Sequence, residues 1–148
     1  MPALIVGNWK MNGSGEDIAE IAQMAGSGAR GIWIAPPFTL IDRAVIVSAG
    51  AVKIGGQDCH ANAKGAHTGC VSALMLADLG AGFVIVGHSE RRRDNGETDA
   101  DVRAKAMAGR AAELEVILCI GETRSQRDAG QTEAVLTSQL AGSLPDDA

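Results

Sequence analysis

Five short apolar runs recur along the chain, at 3–7, 31–35, 52–55, 83–87 and 116–120. Polar residues seldom alternate with apolar ones inside them, the pattern of strands covered on both faces in a parallel sheet. Between or after them, the segments 16–24, 39–49, 72–79, 98–113 and 133–140 repeat apolar residues at helical spacing. Strand and helix in alternation is the βαβ signature and predicts an α/β fold.

Punctuation agrees with that division. Ser72 stands before Ala73-Leu74-Met75-Leu76 as an N-cap, and Gly80 or Gly82 is placed to end that helix in a left-handed conformation. Gly87 and Gly121 mark strand exits. Pro36-Pro37 closes the second run and keeps Ala35 out of a helix, so the next helix opens at Thr39. The stretch 12–32 is short and glycine-rich, which predicts a frayed first helix. Residues 56–69 form a long polar loop, and loops of that length inside a compact domain are usually functional. Residues 144–148 read as a loop leading onward.

The chain has 148 residues, 46% apolar but only 3% aromatic, so its core must be built from Val, Ile, Leu and Ala. That composition argues against disorder and fits one ordinary domain. No apolar run approaches the roughly 20 residues of a membrane span, and no basic region precedes a secretory core. A cytoplasmic protein with no membrane partner is expected. Cys59, Cys70 and Cys119 are odd in number and far apart, which favours free thiols and gives no zinc spacing. Net charge is −5, and Arg91-Arg92-Arg93 is answered by Asp94, Glu97, Asp99 and Asp101, so no basic face invites nucleic acid. An acidic chain still binds a phosphorylated metabolite where local lysines and helix N-termini set the field.

The candidate chemistry sits where the runs end. The fourth run leads into Gly87-His88-Ser89-Glu90-Arg91-Arg92, and the first into Gly7-Asn8-Trp9-Lys10-Met11-Asn12. One rim then carries a lysine, an amide, a histidine and a carboxylate, and the carboxyl ends of parallel strands are where α/β proteins place chemistry. Each residue also has a plain reading. Lys10 suits a solvated surface cation, His88 a hydrogen-bonded structural histidine, and Glu90 an ion pair with Arg91 or Arg92. Cys119 suits a small packed thiol, and Glu97 and Glu122 suit loop-holding carboxylates with Arg91 and Arg92 as partners. His60 and His67 lie near Cys59 without the spacing of a metal site, and Gly55-Gly56 suits a turn.

Taken together, Asn8-Trp9-Lys10-Met11-Asn12, Gly87-His88-Ser89-Glu90-Arg91-Arg92 with Gly96-Glu97-Thr98-Asp99, and Cys119-Ile120-Gly121-Glu122-Thr123 resemble triosephosphate isomerases. Gly56-Gln57 through His60, with Gly65-Ala66-His67-Thr68-Gly69, is similar to that family's third strand-to-helix loop. The resemblance implies a (β/α)8 barrel that interconverts glyceraldehyde 3-phosphate and dihydroxyacetone phosphate through an enediolate, in glycolysis and gluconeogenesis, without cofactor or metal. It casts His88 as the electrophile, Lys10 as the cation for phosphate and carbonyl oxygen, Asn8 as an amide donor in substrate binding, and Glu90 as the carboxylate that holds the lysine. It also implies a homodimer in which the 57–69 loop, opened by Gln57 and closed by Gly69, enters the neighbouring subunit with Thr68 near its active site.

The resemblance stops after the fifth β/α unit, roughly three-fifths of a usual chain of about 250 residues. The expectation is therefore an incomplete TIM barrel, one truncated domain over residues 1–148 with about five parallel strands. In the family the catalytic glutamate follows the sixth strand and precedes a proline, and no glutamate here precedes proline. The lid and the late phosphate loops fall in the same stretch. An inactive isolated chain is expected, with open sheet edges and self-association. Cys70 stands where the family usually has an acidic residue, which questions a polar contact near the interface. The alternative is a noncatalytic partial-barrel module acting by binding or self-assembly. Another phosphate-sugar barrel is a weaker reading, since Asn8, Lys10, His88 and Glu90 occur together.

Overall fold

The computed structural model describes residues 3–146. Strands β1 (Ile5–Asn8), β2 (Ile32–Ala35), β3 (Lys53–Gly56), β4 (Phe83–Val86) and β5 (Glu115–Leu118) form one parallel sheet in the order β1-β2-β3-β4-β5. Every strand thus pairs with its sequence neighbour, and the sheet curls into a half-barrel. The helices among the described residues are α1 (Ile18–Gly26), α2 (Ile41–Ser48), α3 (Ala73–Asp78), α4 (Ser89–Asp94), α5 (Asp99–Ala111), α6 (Arg124–Asp128) and α7 (Thr132–Ser143).

Two apolar clusters sandwich the sheet. Val84 and Val86 join Ile34, Ile54 and Leu76 in the core under the helices, while Phe83 and Ile85 pack with Ala35, Trp33, Ile117 and Cys119 on the other face. The period of two along β4 explains why its run carries no polar residue. Gly55 makes room for the inner layer: a Cβ there would stand 2.4 Å from the Phe83 ring.

Side-chain caps set most helix starts. Ser72 Oγ accepts from the Met75 N–H at 3.2 Å, and Gly80 beyond α3 has φ +85°. Thr98 with Asp101, and Thr123 with Gln126, close reciprocal capping boxes. Two short helices lie outside the apolar pattern. Neither α4 nor α6 buries a residue, so no hydrophobic stripe announces them. Their start signals are the caps His88 and Thr123.

Several bounds shift for local reasons. Helix α1 starts at Ile18 because Asp17 is spent in a turn, accepting from the Ser14 N–H at 2.6 Å and hydroxyl at 2.9 Å. It is ordered as a helix by burying Ile18 and Ile21, despite its glycine-rich flanks. After Pro36-Pro37 the chain makes a single 3-10 turn, Phe38–Leu40, held by Leu40 N–H to Pro37 O at 2.9 Å, before α2 begins at Ile41. Residues 144–146 leave α7 through an extended Leu144; the rest of the 144–148 loop reading, residues 147 and 148, lies outside the described residues.

Among the described residues, strand β1 pairs only with β2, and β5 only with β4. Leu4 and Ile5 beside the β1 edge are 54% and 62% exposed. An unpaired edge with apolar side chains is a template for further strands. The 148-residue polypeptide on its own is expected to self-associate, with a weight-average mass in sedimentation that rises with concentration, and Ile5→Lys is expected to suppress the rise. A monomeric mass with a concentration-independent cooperative melt would contradict this.

Candidate active site

The rim residues converge at the carboxyl end of the sheet. Asn8 ends β1 and Lys10 follows two residues later; Gln57 leaves β3 directly; His88 joins β4 to α4, and Glu90 is in the first turn of α4. Asn8, Lys10, Gln57, His88, Glu90 and Asn95 line one open cleft of about 360 Å³.

Asn8 Oδ1 accepts from the Lys10 N–H at 2.8 Å, which leaves the amide nitrogen of Asn8 as the donor. Lys10 itself has φ +54°, a left-handed conformation that costs a non-glycine residue roughly 1 kcal/mol or more. Its ammonium meets Glu90 Oε1 at 2.7 Å. The other Glu90 oxygen lies 3.6 Å from His88 Nδ1, and the Glu90 N–H points at the same nitrogen from 3.3 Å. A ring nitrogen that accepts a backbone N–H carries no proton, so the proton of the neutral ring is on Nε2.

The hydrogen bond from Lys10 holds the Glu90 carboxyl below its ordinary value of 4.5; burial opposes this, and the charges of Lys10 and Arg93 assist it. A folded value depressed below the unfolded one stabilises the fold above the ordinary carboxylate range, and that contribution disappears as pH falls through the lowered value. The Glu90 Cδ resonance is expected to titrate below 4.5 in the native chain and to move upward in Lys10→Met. An unchanged midpoint in that variant would mean that the pair does not form in solution.

Behind the rim lies a second charge network. Lys105 Nζ reaches Asp58 at 2.8 and 2.9 Å and Glu97 at 2.5 Å, while Arg91 Nε reaches Glu97 at 2.5 Å and Asp58 at 3.0 Å. Desolvation raises the Asp58 carboxyl despite both cations. Glu97 Oε2 is buried without a partner among the described residues. Burial, with the Asp58 charge beside it, pushes the Cys59 thiol up to about 12, and burial also raises Cys119, so neither is a ready nucleophile.

The ion-pair reading of the sequence needs correcting in detail. Glu90 pairs with Lys10 and not with Arg91 or Arg92. Arg91 does hold Glu97, but Arg92 turns inward to Asp99, Gly87 O and Ser143 Oγ, and Glu122 takes Arg127 from α6, the helix that follows it. Helix α4 winds its successive arginines to different sides, which runs of like residues in a sequence conceal.

Thr68 is exposed in the projecting loop and does not line the cleft. In that loop His60 and His67 stack at 3.9 Å, tied by Asn62, whose N–H donates to His60 Nδ1 and whose side chain bonds His67 Nε2. Cys59, Cys70 and Cys119 are free thiols. Among the described residues no three His, Cys, Asp or Glu side chains are arranged to hold a metal ion, and no helix is long and apolar enough to cross a membrane.

From the sequence, Gln57 and Asp58 are placed only in the long loop, with no role at the site, and none is given to Phe38 or Asn95, which also line the cleft. For Gln57 a signal was present: it follows a glycine strand exit, as His88 does.

A family model described as triosephosphate isomerase matches residues 3–148. The chain belongs to the triosephosphate isomerase family. It is 58% identical over 146 residues to the triosephosphate isomerase of Ruegeria sp. (strain TM1040), covering 97% of this chain and 59% of that protein. With that of Afipia carboxidovorans it shares 57% over 152 residues, covering 98% and 60%. The crystal structure of triosephosphate isomerase from Bartonella henselae superposes with a TM-score of 0.94 at 46% identity, covering all of this chain and 64% of that one. The chain thus spans about 60% of the length of these curated family members, which places the observed half-barrel as the first five β/α units of the family fold.

Proposed function

We propose that this chain supplies the electrophilic half of a triosephosphate isomerase site, acting on glyceraldehyde 3-phosphate and dihydroxyacetone phosphate through an enediolate. The observation that carries the reading is the convergence of Asn8, Lys10, His88 and Glu90 on one cleft at the carboxyl end of the sheet. Moving a proton between adjacent carbons needs donors for the oxyanion that develops on the carbonyl oxygen, and a base. His88 Nε2–H and the Asn8 amide are neutral donors for that oxygen. Lys10 supplies positive charge to it and to the phosphate, with Glu90 steadying the ammonium.

The base has to come from elsewhere. Three carboxylates line the cleft, and each is engaged: Glu90 by Lys10, Asp94 by Arg93 at 2.6 Å, and Asp58 by Lys105 and Arg91. Hydrogen bonds from those partners hold Glu90 and Asp94 below the usual range, which weakens them as bases. The 148-residue chain, taken as a single domain, is therefore inactive alone, and the base, lid and remaining phosphate contacts belong to the last three β/α units. In this reading the enzyme is a cytoplasmic homodimer whose 57–69 loop carries Thr68 to the neighbouring subunit.

The test is isomerisation of glyceraldehyde 3-phosphate by the chain alone and mixed with the last three β/α units of the Ruegeria relative. Turnover only in the mixture supports the proposal. Turnover by the chain alone would mean that the base is present after all. None in either would favour the second reading, a noncatalytic module that works by assembly through its open β1 and β5 edges.

A further inference from the structure

We infer that Gln57 is the positioning residue of this site: its side-chain amide clamps the Lys10 backbone in the left-handed conformation that aims the ammonium across the cleft. This rests on the isomerase reading for its consequence, and on geometry for its substance.

Lys10 at φ +54° needs an external hold, because an unconstrained lysine relaxes to negative φ. The Lys10 residue is gripped at both ends. Its N–H is held by Asn8 Oδ1, two residues back at the end of β1, a bond confined to the exit of that one strand. Its carbonyl is held by Gln57 Nε2 at 2.9 Å, from a residue 47 positions away at the end of β3. The same nitrogen donates to Ala35 O, also at 2.9 Å, at the end of β2. One amide group thereby ties the exits of three neighbouring strands.

The chemistry of the amide explains the choice of residue. An NH2 group has two N–H donors in one plane and no charge, and here both are spent on backbone carbonyls. No donor remains for substrate, so Gln57 acts through Lys10. A glutamate of the same length would turn two acceptor oxygens toward two carbonyl oxygens, and a methionine would offer nothing. The strand end that carries Gln57 is rigid: Gly56 before it is buried, and a Cβ there would stand 2.6 Å from Leu76 of α3. A clamp on a packed strand positions more sharply than one on a loop.

The test uses Gln57→Met and reads Lys10 by NMR in the 148-residue chain. The three-bond amide-to-α-proton coupling of Lys10 is expected to leave its positive-φ value, and the Glu90 carboxyl midpoint to rise toward the value seen in Lys10→Met. Both signals staying at their native values would overturn the clamp. Should Gln57→Met fail to fold, Gln57→Glu decides. Its carboxyl regains one donor when protonated, so native Lys10 coupling is expected to return on acidification, and a coupling that ignores pH would overturn the proposal. In the reconstituted barrel, Gln57→Met is expected to lower kcat/KM about tenfold, the scale of one clamping hydrogen bond, without a matching loss in melting temperature. If the native mixture shows no turnover, the isomerase reading falls while the NMR arms still decide the clamp.

Discussion

Replacing His88 by glutamine is expected to cut turnover of the reconstituted barrel by about 10²- to 10⁴-fold, the range for losing a positioned donor at a developing oxyanion. The size of the effect follows from how the ring is held. His88 caps α4 through Nδ1, and its position between β4 and that cap fixes the ring, so Nε2–H is presented by a rigid two-nitrogen lever. Glutamine retains a donor at a similar reach, but its more flexible side chain cannot cap and donate along the same axis. Far-ultraviolet circular dichroism should stay native, and the melting point should fall by no more than the loss of one cap, about 1 kcal/mol. Turnover within a few-fold of the native mixture would remove His88 from the chemistry.

Lys105→Met is expected to destabilise the chain by about 3–5 kcal/mol, measured by urea unfolding. Lys105 lies in α5 with only 12% of its side chain exposed, and it faces Asp58 and Glu97, which are 12% and 7% exposed. Removing the ammonium leaves Arg91 to serve both carboxylates. The sign of the pH response distinguishes this account from simple loss of packing. Burial already raises Asp58, and losing a cation raises it further. A carboxyl raised in the folded state favours folding below its unfolded value, and that advantage is lost as pH rises through the folded value. The variant should therefore regain stability on acidification from neutrality. Asp58→Asn, which removes a desolvated charge and keeps Glu97 for Lys105, should cost far less. A loss below about 1 kcal/mol for Lys105→Met would show that the network is solvated in practice.

The fourth strand was legible because Phe83-Val84-Ile85-Val86 is buried on both faces and carries no polar residue. The convergence of Asn8, Lys10, His88 and Glu90 on one cleft was legible for the related reason that polar groups clustered where the apolar runs stop. Partners were not. Lys10 finds Glu90 across 80 residues and Lys105 finds Asp58 across 47, and nothing local distinguishes such a lysine from a solvated one. The limits of β1 and β5 were misplaced by one or two residues because pairing with a neighbouring strand, rather than hydropathy, decides where an edge strand begins. Gln57 stayed hidden because an amide's role depends on which carbonyls converge on it.

The uninterrupted strand order has a meaning for biosynthesis. Each strand's partner has already left the ribosome when that strand appears, so the sheet grows from one side, a unit at a time, with few long loops to close. The exposed flank of β5 is then the growing front, the surface onto which a sixth unit would add. The flank of β1 waits longest, since only the final strand of a closed barrel can reach it. A nascent chain of this fold therefore protects its leading edge quickly and its first edge last, and the apolar Leu4, Ile5 and Val6 mark the side on which chaperone contact would be needed until closure.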